Sequence, residues 1–284
     1  MKRHLRFTAF AAFLAAGPAA AQYGPEDPTG DQTSYTALWW VPEESGWGLN
    51  TNHQGDTVFA TLFTYAPDGQ PMWLVGPNLA GLPTERYFFG PIYRTTGPAF
   101  NQVPWTQVGI TQVGTMAIDF VTSSLAAVTY TFNGTSVTKL VRRQVFGSPV
   151  PECVVQSGSR ANVANYQDLW WNPAESGWGL NMVQQGTVIF TTLFTYAPSG
   201  RDVWMVGPAL RRQSDGSYAG PLYSTTGPRF DASPWREIGV SEVGSMTLRF
   251  SAGDRATVTY SVNGTSVTKS IERQVFGSTA PVCR

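Results

Sequence analysis

The sequence predicts an all-β fold made of two tandem copies of a small antiparallel β-barrel or sandwich. Three observations carry this expectation. A motif of thirteen residues, Leu38 to Asn50, returns as Leu169 to Asn181, 131 residues later, and Leu62 to Pro67 returns at the same distance as Leu193 to Pro198. Self-similarity at a fixed period marks a repeated structural unit. Runs rich in β-branched and aromatic residues, bounded by Gly, Asn and Pro, read as short strands. No segment of the mature chain sustains an apolar helical period over ten or more residues.

The elements follow in order along the chain. Lys2, Arg3 and Arg6 precede an apolar run from Phe7 to Ala16, and Ala19-Ala20-Ala21 offers a small-residue cleavage site, the pattern of a secretory signal peptide over residues 1–21. Residues 22–34 form an N-terminal segment, 35–153 the first repeat, 154–165 a linker rich in Ser, Gly, Asn and Ala, and 166–284 the second repeat. After one residue is lost beyond Pro208 the repeat distance becomes 130, so Thr95-Thr96-Gly97-Pro98 aligns with Thr225 to Pro228 and Cys153 with Cys283. The longest apolar stretch is too short for a membrane-spanning helix, which predicts a secreted or periplasmic protein without a transmembrane segment. Loss of the signal leaves 16 basic against 19 acidic residues, a net charge of −3, without the basic footprint of a nucleic-acid binder.

Within each copy, Thr57 to Tyr65 and Val188 to Tyr196 read as strands, with turns at Asp68-Gly69 and Ser199-Gly200 leading into Met72–Val75 and Val203–Val206. Asn133-Gly134 and Asn263-Gly264 accept the positive φ of a type I′ hairpin turn. Seven or eight strands per copy suit a small barrel or sandwich. The Phe59–Tyr65 run is bulky at both alternating sets of positions. Both its faces are therefore covered, either by the sister domain or by an aromatic-lined lumen.

Any site shared by the copies must use residues kept in both, and few ionisable residues are. Glu44 with Glu175 is the one retained acid; Lys139 with Lys269 and Arg143 with Arg273 are the retained bases. One carboxylate per copy falls short of the pair that glycoside hydrolysis requires. His53 aligns with Gln184, so neither a histidine triad nor a histidine metal site exists in both copies. No cofactor or metal ligand set is expected; a hydrolase working through one copy, for instance with His53 and Asp56, is the least favoured reading. Cys153 and Cys283 are the two cysteines, and in an exported chain they should form a disulfide. Their equivalent positions would then place the copies side by side about a pseudo-twofold axis.

All ten tryptophans pair between the copies, as do Tyr65, Tyr93, Tyr130, Asn50 and Gln54. Trp39 and Trp40, if extended, point to opposite faces. Glycines flank Trp47 and Trp178, leaving room for a planar group to approach each ring. With polar groups beside them, these aromatics suggest a ligand surface: Trp39, Trp40, Glu44, Ser45, Trp47, Asn50, Tyr65 and Trp73 in copy one, and Trp170, Trp171, Glu175, Ser176, Trp178, Asn181, Tyr196 and Trp204 in copy two. The opposing reading places the tryptophans in the core and pairs Glu44 with Lys139 or Arg143.

The Trp170–Asn181 motif, followed by Gln185-Gly186, Phe194-Thr195-Tyr196, Gly200 and Trp204, resembles a family of uncharacterised secreted proteobacterial β-domains found in tandem or appended to exported proteins. The resemblance covers nearly the whole mature chain, implies a secreted module, and assigns no activity. Copy one departs from it at Val41 and Glu43. A fainter similarity to avidin-like and lipocalin-like barrels rests on the early Gly-Trp pair, without their usual Gly-x-Trp spacing. The expected function is a non-catalytic binding protein with two quasi-equivalent sites for carbohydrate or another small, partly apolar ligand. The alternative is a structural or adhesive interaction module with the tryptophans in its core.

Overall fold

The computed structural model describes residues 32–81, 86–156 and 159–284. The expected signal peptide, residues 1–21, lies outside the described residues, as does most of the N-terminal segment. The described chain is all strand and turn. A first group comprises β1 (Gln32–Thr33), β2 (Ala37–Trp40), β3 (Gly48–Gln54), β4 (Thr57–Tyr65), β5 (Pro71–Ala80), β6 (Tyr87–Thr96), β7 (Gly109–Thr122), β8 (Leu125–Phe132), β9 (Thr135–Arg143) and β10 (Cys153–Gln156). A second comprises β11 (Asp168–Trp171), β12 (Gly179–Gln185), β13 (Val188–Tyr196), β14 (Asp202–Arg212), β15 (Tyr218–Thr226), β16 (Gly239–Ala252), β17 (Arg255–Val262), β18 (Thr265–Arg273) and β19 (Ala280–Cys283).

β2 to β9 close into one antiparallel barrel and β11 to β18 into another. Each strand pairs with the next, and the ring closes where Trp39 meets Arg143 and Trp170 meets Arg273. Closure leaves no unpaired strand edge in either ring. The Asn-Gly turns occur as expected, with φ of 48° and 84° at Asn133 and Gly134 and of 48° and 85° at Asn263 and Gly264. The lumens are packed rather than open: Leu49, Val58, Leu62, Leu74, Ile118, Phe120 and Val128 form one continuous buried cluster in the first barrel, and Leu180, Ile189, Leu193, Leu222, Leu248 and Val258 form its counterpart.

The two-faced strand β4 resolves simply. Val58, Ala60 and Leu62 point into the lumen, while Phe59, Phe63 and Tyr65 belong to a separate cluster with Leu169, Phe194, Tyr196 and Trp204 of the other copy. The outer face of β4 is therefore the joint between barrels. Two symmetric hydrogen bonds cross it: Trp73 Nε1 donates to the Thr195 carbonyl at 3.2 Å, and Trp204 Nε1 to the Thr64 carbonyl at 2.9 Å. Gln54 and Gln185 repeat the device, each capping the chain that leaves the other barrel. The Gln54 amide donates to the Gln274 carbonyl and accepts from the Phe276 and Gly277 N–H groups; Gln185 does the same with Gln144, Phe146 and Gly147.

Cys153 and Cys283 form a disulfide and are directly opposed in register where β10 pairs with β19. The expected linker is thus partly strand, because β10 extends to Gln156 inside a three-stranded sheet, β1-β10-β19. Two equivalent chain ends meeting near a twofold axis can satisfy each other's backbone groups as an antiparallel pair.

The deepest connection between the copies is an exchange of arms. The segment 97–108, between β6 and β7, leaves barrel one and enters barrel two, where Phe100 joins the lumen cluster; Phe230, on the segment 227–238, fills barrel one. The Phe100 N–H donates to the Tyr196 carbonyl at 3.0 Å and the Phe230 N–H to the Tyr65 carbonyl at 3.1 Å. Each lumen therefore lacks a core residue unless the other barrel is present. A fragment holding only residues 35–153 should fail to unfold cooperatively in a thermal melt monitored by circular dichroism, whereas a chain of residues 22–284 should melt as one unit. Phe100→Ala and Phe230→Ala should each cost about 3 to 5 kcal/mol, the range for deleting a buried aromatic ring, measured by denaturant unfolding.

Candidate functional site

The repeated motif forms β2, a tight turn and the start of β3. Trp39 and Trp170 point into the lumens and are buried, whereas Trp40 and Trp171 point outward and are partly exposed, the opposition that adjacent strand residues require. The turn is pinned by Glu44 N–H donating to the Val41 carbonyl at 3.0 Å, and Glu175 N–H to Asn172 at 2.9 Å.

Glu44 is the hub of this turn. Its Oε2 accepts from Trp47 Nε1 at 3.1 Å, and Lys139 Nζ on β9 donates to both carboxylate oxygens at 2.7 Å. Copy two repeats the set: Trp178 Nε1 donates to Glu175 at 3.1 Å, and Lys269 forms an ion pair with the same carboxylate. Lys269 Nζ also lies 5.0 Å from the Trp105 ring centre and 5.3 Å from that of Trp178, within cation–π range. A partly buried carboxylate with a tryptophan N–H and an ammonium ion as partners is satisfied without a ligand.

The sister barrel's arm covers the turn. Trp235 Nε1 donates to the Ser45 carbonyl at 3.0 Å and Trp105 Nε1 to the Ser176 carbonyl at 2.9 Å. The Trp235 ring lies 6.5 Å from that of Trp47, and Trp105 lies 6.4 Å from Trp178. Trp47 and Trp178 retain only 7% and 2% of their accessible surface. The expectation that they present exposed plates is therefore corrected: the space beside each ring is taken by the other barrel. The glycines before them serve the same contact. Gly46 and Gly177 both have φ of 107°, and a Cβ there would come within 2.5 Å of Ile238 and Val108, respectively, on the sister arm.

The other expected site residues are dispersed. Tyr65, Trp73, Tyr196 and Trp204 lie in the joint cluster. Asn50 and Asn181 are buried, and the Asn52 amide donates to Asn181 Oδ1 at 2.8 Å across the barrels. Ser45 and Ser176 contribute backbone carbonyls to the arm. The fold thus distributes these sixteen residues among lumen, rim and joint rather than around one open cavity, because a closed barrel sends alternate residues to opposite sides. His53 Nε2 lies 2.9 Å from the Gly55 carbonyl, and the ring stacks on Tyr35 at 5.5 Å. Sequence reasoning missed the arms. The available signal was Pro98-x-Phe100 with Pro104-Trp105, repeated as Pro228-x-Phe230 with Pro234-Trp235 between strands, since a loop has no core of its own to demand aromatics.

One side of the joint departs from the twofold. Arg94 donates through Nε at 3.0 Å and Nη2 at 2.7 Å to the buried Asp202 carboxylate, whose other oxygen accepts the Trp73 N–H at 3.1 Å. The equivalent positions hold Ser224 and Pro71, so this ion pair has no counterpart. Beside it is an open cleft of about 830 Å³ lined by Arg94, Gln107, Thr111, Asn133, Arg201 and Asp202 among others.

Desolvation by burial raises the Tyr65 hydroxyl pKa above its ordinary value and pushes that of Tyr196 up to about 12, despite a hydrogen bond from Tyr196 to Thr95. Tyr65 donates to the Gly46 carbonyl at 2.5 Å and Tyr196 to that of Gly177 at 2.7 Å. No protein-family model, curated protein or solved structure matches this chain.

Two outcomes follow from this geometry. Trp47→Ala and Trp178→Ala should each lower stability by about 3 to 5 kcal/mol, read as a large fall in Tm; a small fall would contradict their burial. The tyrosine contribution should be fully present below about pH 10, the unfolded value, and be lost as pH rises towards about 12 in the case of Tyr196. Tm measured across this alkaline range should fall, and Tyr65→Phe with Tyr196→Phe should flatten the fall.

Proposed function

We propose that this chain is an exported, non-catalytic interaction module in which the repeated tryptophan motif is the joint of a rigid two-barrel unit. The single observation that carries this reading is the engagement of the retained polar and aromatic groups with one another. Glu44 and Glu175 hold a tryptophan N–H and a lysine, and the motif turns are covered by Trp235 and Trp105. Residues kept in both copies thus hold each motif turn in shape and seat the sister barrel's arm on it. Export is supported by the signal-peptide pattern over residues 1–21 and by the Cys153–Cys283 disulfide. Rigidity is supported by the arm exchange and the disulfide, which join the barrels at separate places.

A second reading keeps a small-molecule or glycan ligand but moves it to the cleft beside Arg94 and Asp202. Its hydroxyl, amide and guanidinium lining suits a polar, polyhydroxylated ligand, and Arg94 and Asp202, replaced by Ser224 and Pro71 at the matching positions, would make the two halves bind differently.

Assays of the mature protein against polysaccharides and esters should show no turnover above the blank. Activity that vanished in the Glu44→Gln, Glu175→Gln double variant would overturn the non-catalytic reading. A glycan array would decide the second reading: retention of a glycan by the native protein but not by Arg201→Ala would favour the cleft over the module.

A further inference from the structure

Comparison of the two barrels' outer faces isolates one surface that the fold does not need. On barrel one, the strands β6 to β9 present Tyr87, Phe89, Val121 and Leu140 outward, at 49%, 49%, 44% and 58% exposure. Register places them together. Tyr87 opposes Asp119, Asp119 opposes Ala127, and Ala127 opposes Leu140 across four successive strands; Phe89 opposes Ala117 in the adjacent row. Leu125 lies opposite Arg142, which lies opposite the half-exposed Trp40. Four strands about 4.8 Å apart make this apolar band about 15 Å across. Among the described residues, Arg86, Asp119 and Arg142 are exposed charges within and around it.

Barrel two is the internal control. Its equivalents of Tyr87, Phe89, Val121, Leu125, Ala127 and Leu140 are Ser217, Ala219, Ser251, Arg255, Thr257 and Ser270. The same closed barrel, lumen plug and joint exist there without a bulky apolar side chain at any of these positions: Ser251, Arg255 and Ser270 are exposed, and Ser217 is buried. Barrel folding therefore does not explain the apolar residues of barrel one, and contiguous exposed apolar surface of this kind marks an interaction site.

We infer that this face binds a second copy of the chain, forming a twofold dimer through barrel one. The inference rests on the interaction-module reading and names its partner. Three features favour a second copy. An isologous contact needs a surface complementary to itself, and this face carries both signs of charge, Asp119 with Arg86 and Arg142, so each copy can offer an acid to the other's arginine. The mature net charge of −3 gives little repulsion between copies. A standard interface covers about 800 Å² per partner, more than the apolar band alone, so contact extends onto the charged rim and the dimer is weak and concentration-dependent.

Sedimentation velocity of the mature protein, from micromolar to hundreds of micromolar, tests this. The expected result is a reversible monomer–dimer equilibrium. Grafting barrel two's residues as Tyr87→Ser, Phe89→Ala, Val121→Ser and Leu140→Ser should weaken it by about tenfold or more. Tm should stay near that of the native protein, since the sister barrel already folds with those side chains. Leu140→Ser alone should act in the same direction. A native protein that stays monomeric throughout, or a dimer indifferent to the graft, overturns the proposal. So does a monomer that binds lipid vesicles or an insoluble polysaccharide through this face and loses that binding in the graft, because the occupant is then not a second copy. None of these results alters the expected behaviour of the Trp47, Trp178 or glutamate variants, so failure of the dimer is distinguishable from failure of the module.

Discussion

Each barrel's lumen is completed by a phenylalanine that belongs to the other barrel, and the remaining organisation of the molecule answers to that exchange. Phe100 and Phe230 reach their places because the chain between β6 and β7, and between β15 and β16, departs from its own ring at a glycine. Gly97 and Gly227 pass so close to Tyr196 and Tyr65 that a Cβ would come within 2.3 Å of either ring. An interior packed to the density of an organic crystal has no spare volume, so the plug, the glycine that admits it and the tyrosine beside it form one set.

The same constraint explains why the motif survived duplication. A turn that must accept Trp235 or Trp105 from outside, and place Trp47 or Trp178 beneath it, needs fixed carbonyls, a fixed carboxylate and a positive φ at one glycine. Glu44 and Glu175 supply the carboxylate, and Lys139 and Lys269 neutralise it from the last strand. Since the ion pair is only partly buried, its weight lies less in net Coulomb energy than in satisfying a charge that the surrounding aromatics would otherwise strand.

Departures from the twofold are as informative as its observance. The buried Asp202 with Arg94 and the apolar residues on the outer face of barrel one have no equivalents at the matching positions of the other half. The lumens keep matching plugs in both halves, Phe230 in one and Phe100 in the other, whereas the joint carries the one-sided Arg94–Asp202 pair beside Trp73.

Much of the architecture was legible in the sequence by itself. The repeat distance, the strand runs at Thr57–Tyr65 and Val188–Tyr196, the Asn-Gly turns and the paired cysteines depend on local rules: side-chain period, permitted φ and redox chemistry. The pairing of Glu44 with Lys139 was legible as one of two alternatives. Only the tertiary structure decided what lies beside Trp47 and Trp178. A glycine next to a tryptophan declares that something approaches closely, and nothing local says whether that is a solute, a bend or another part of the chain. Here it is the arm of the sister barrel, 71 residues from the turn in one copy and 190 in the other, and contacts of that range have no local periodicity to betray them.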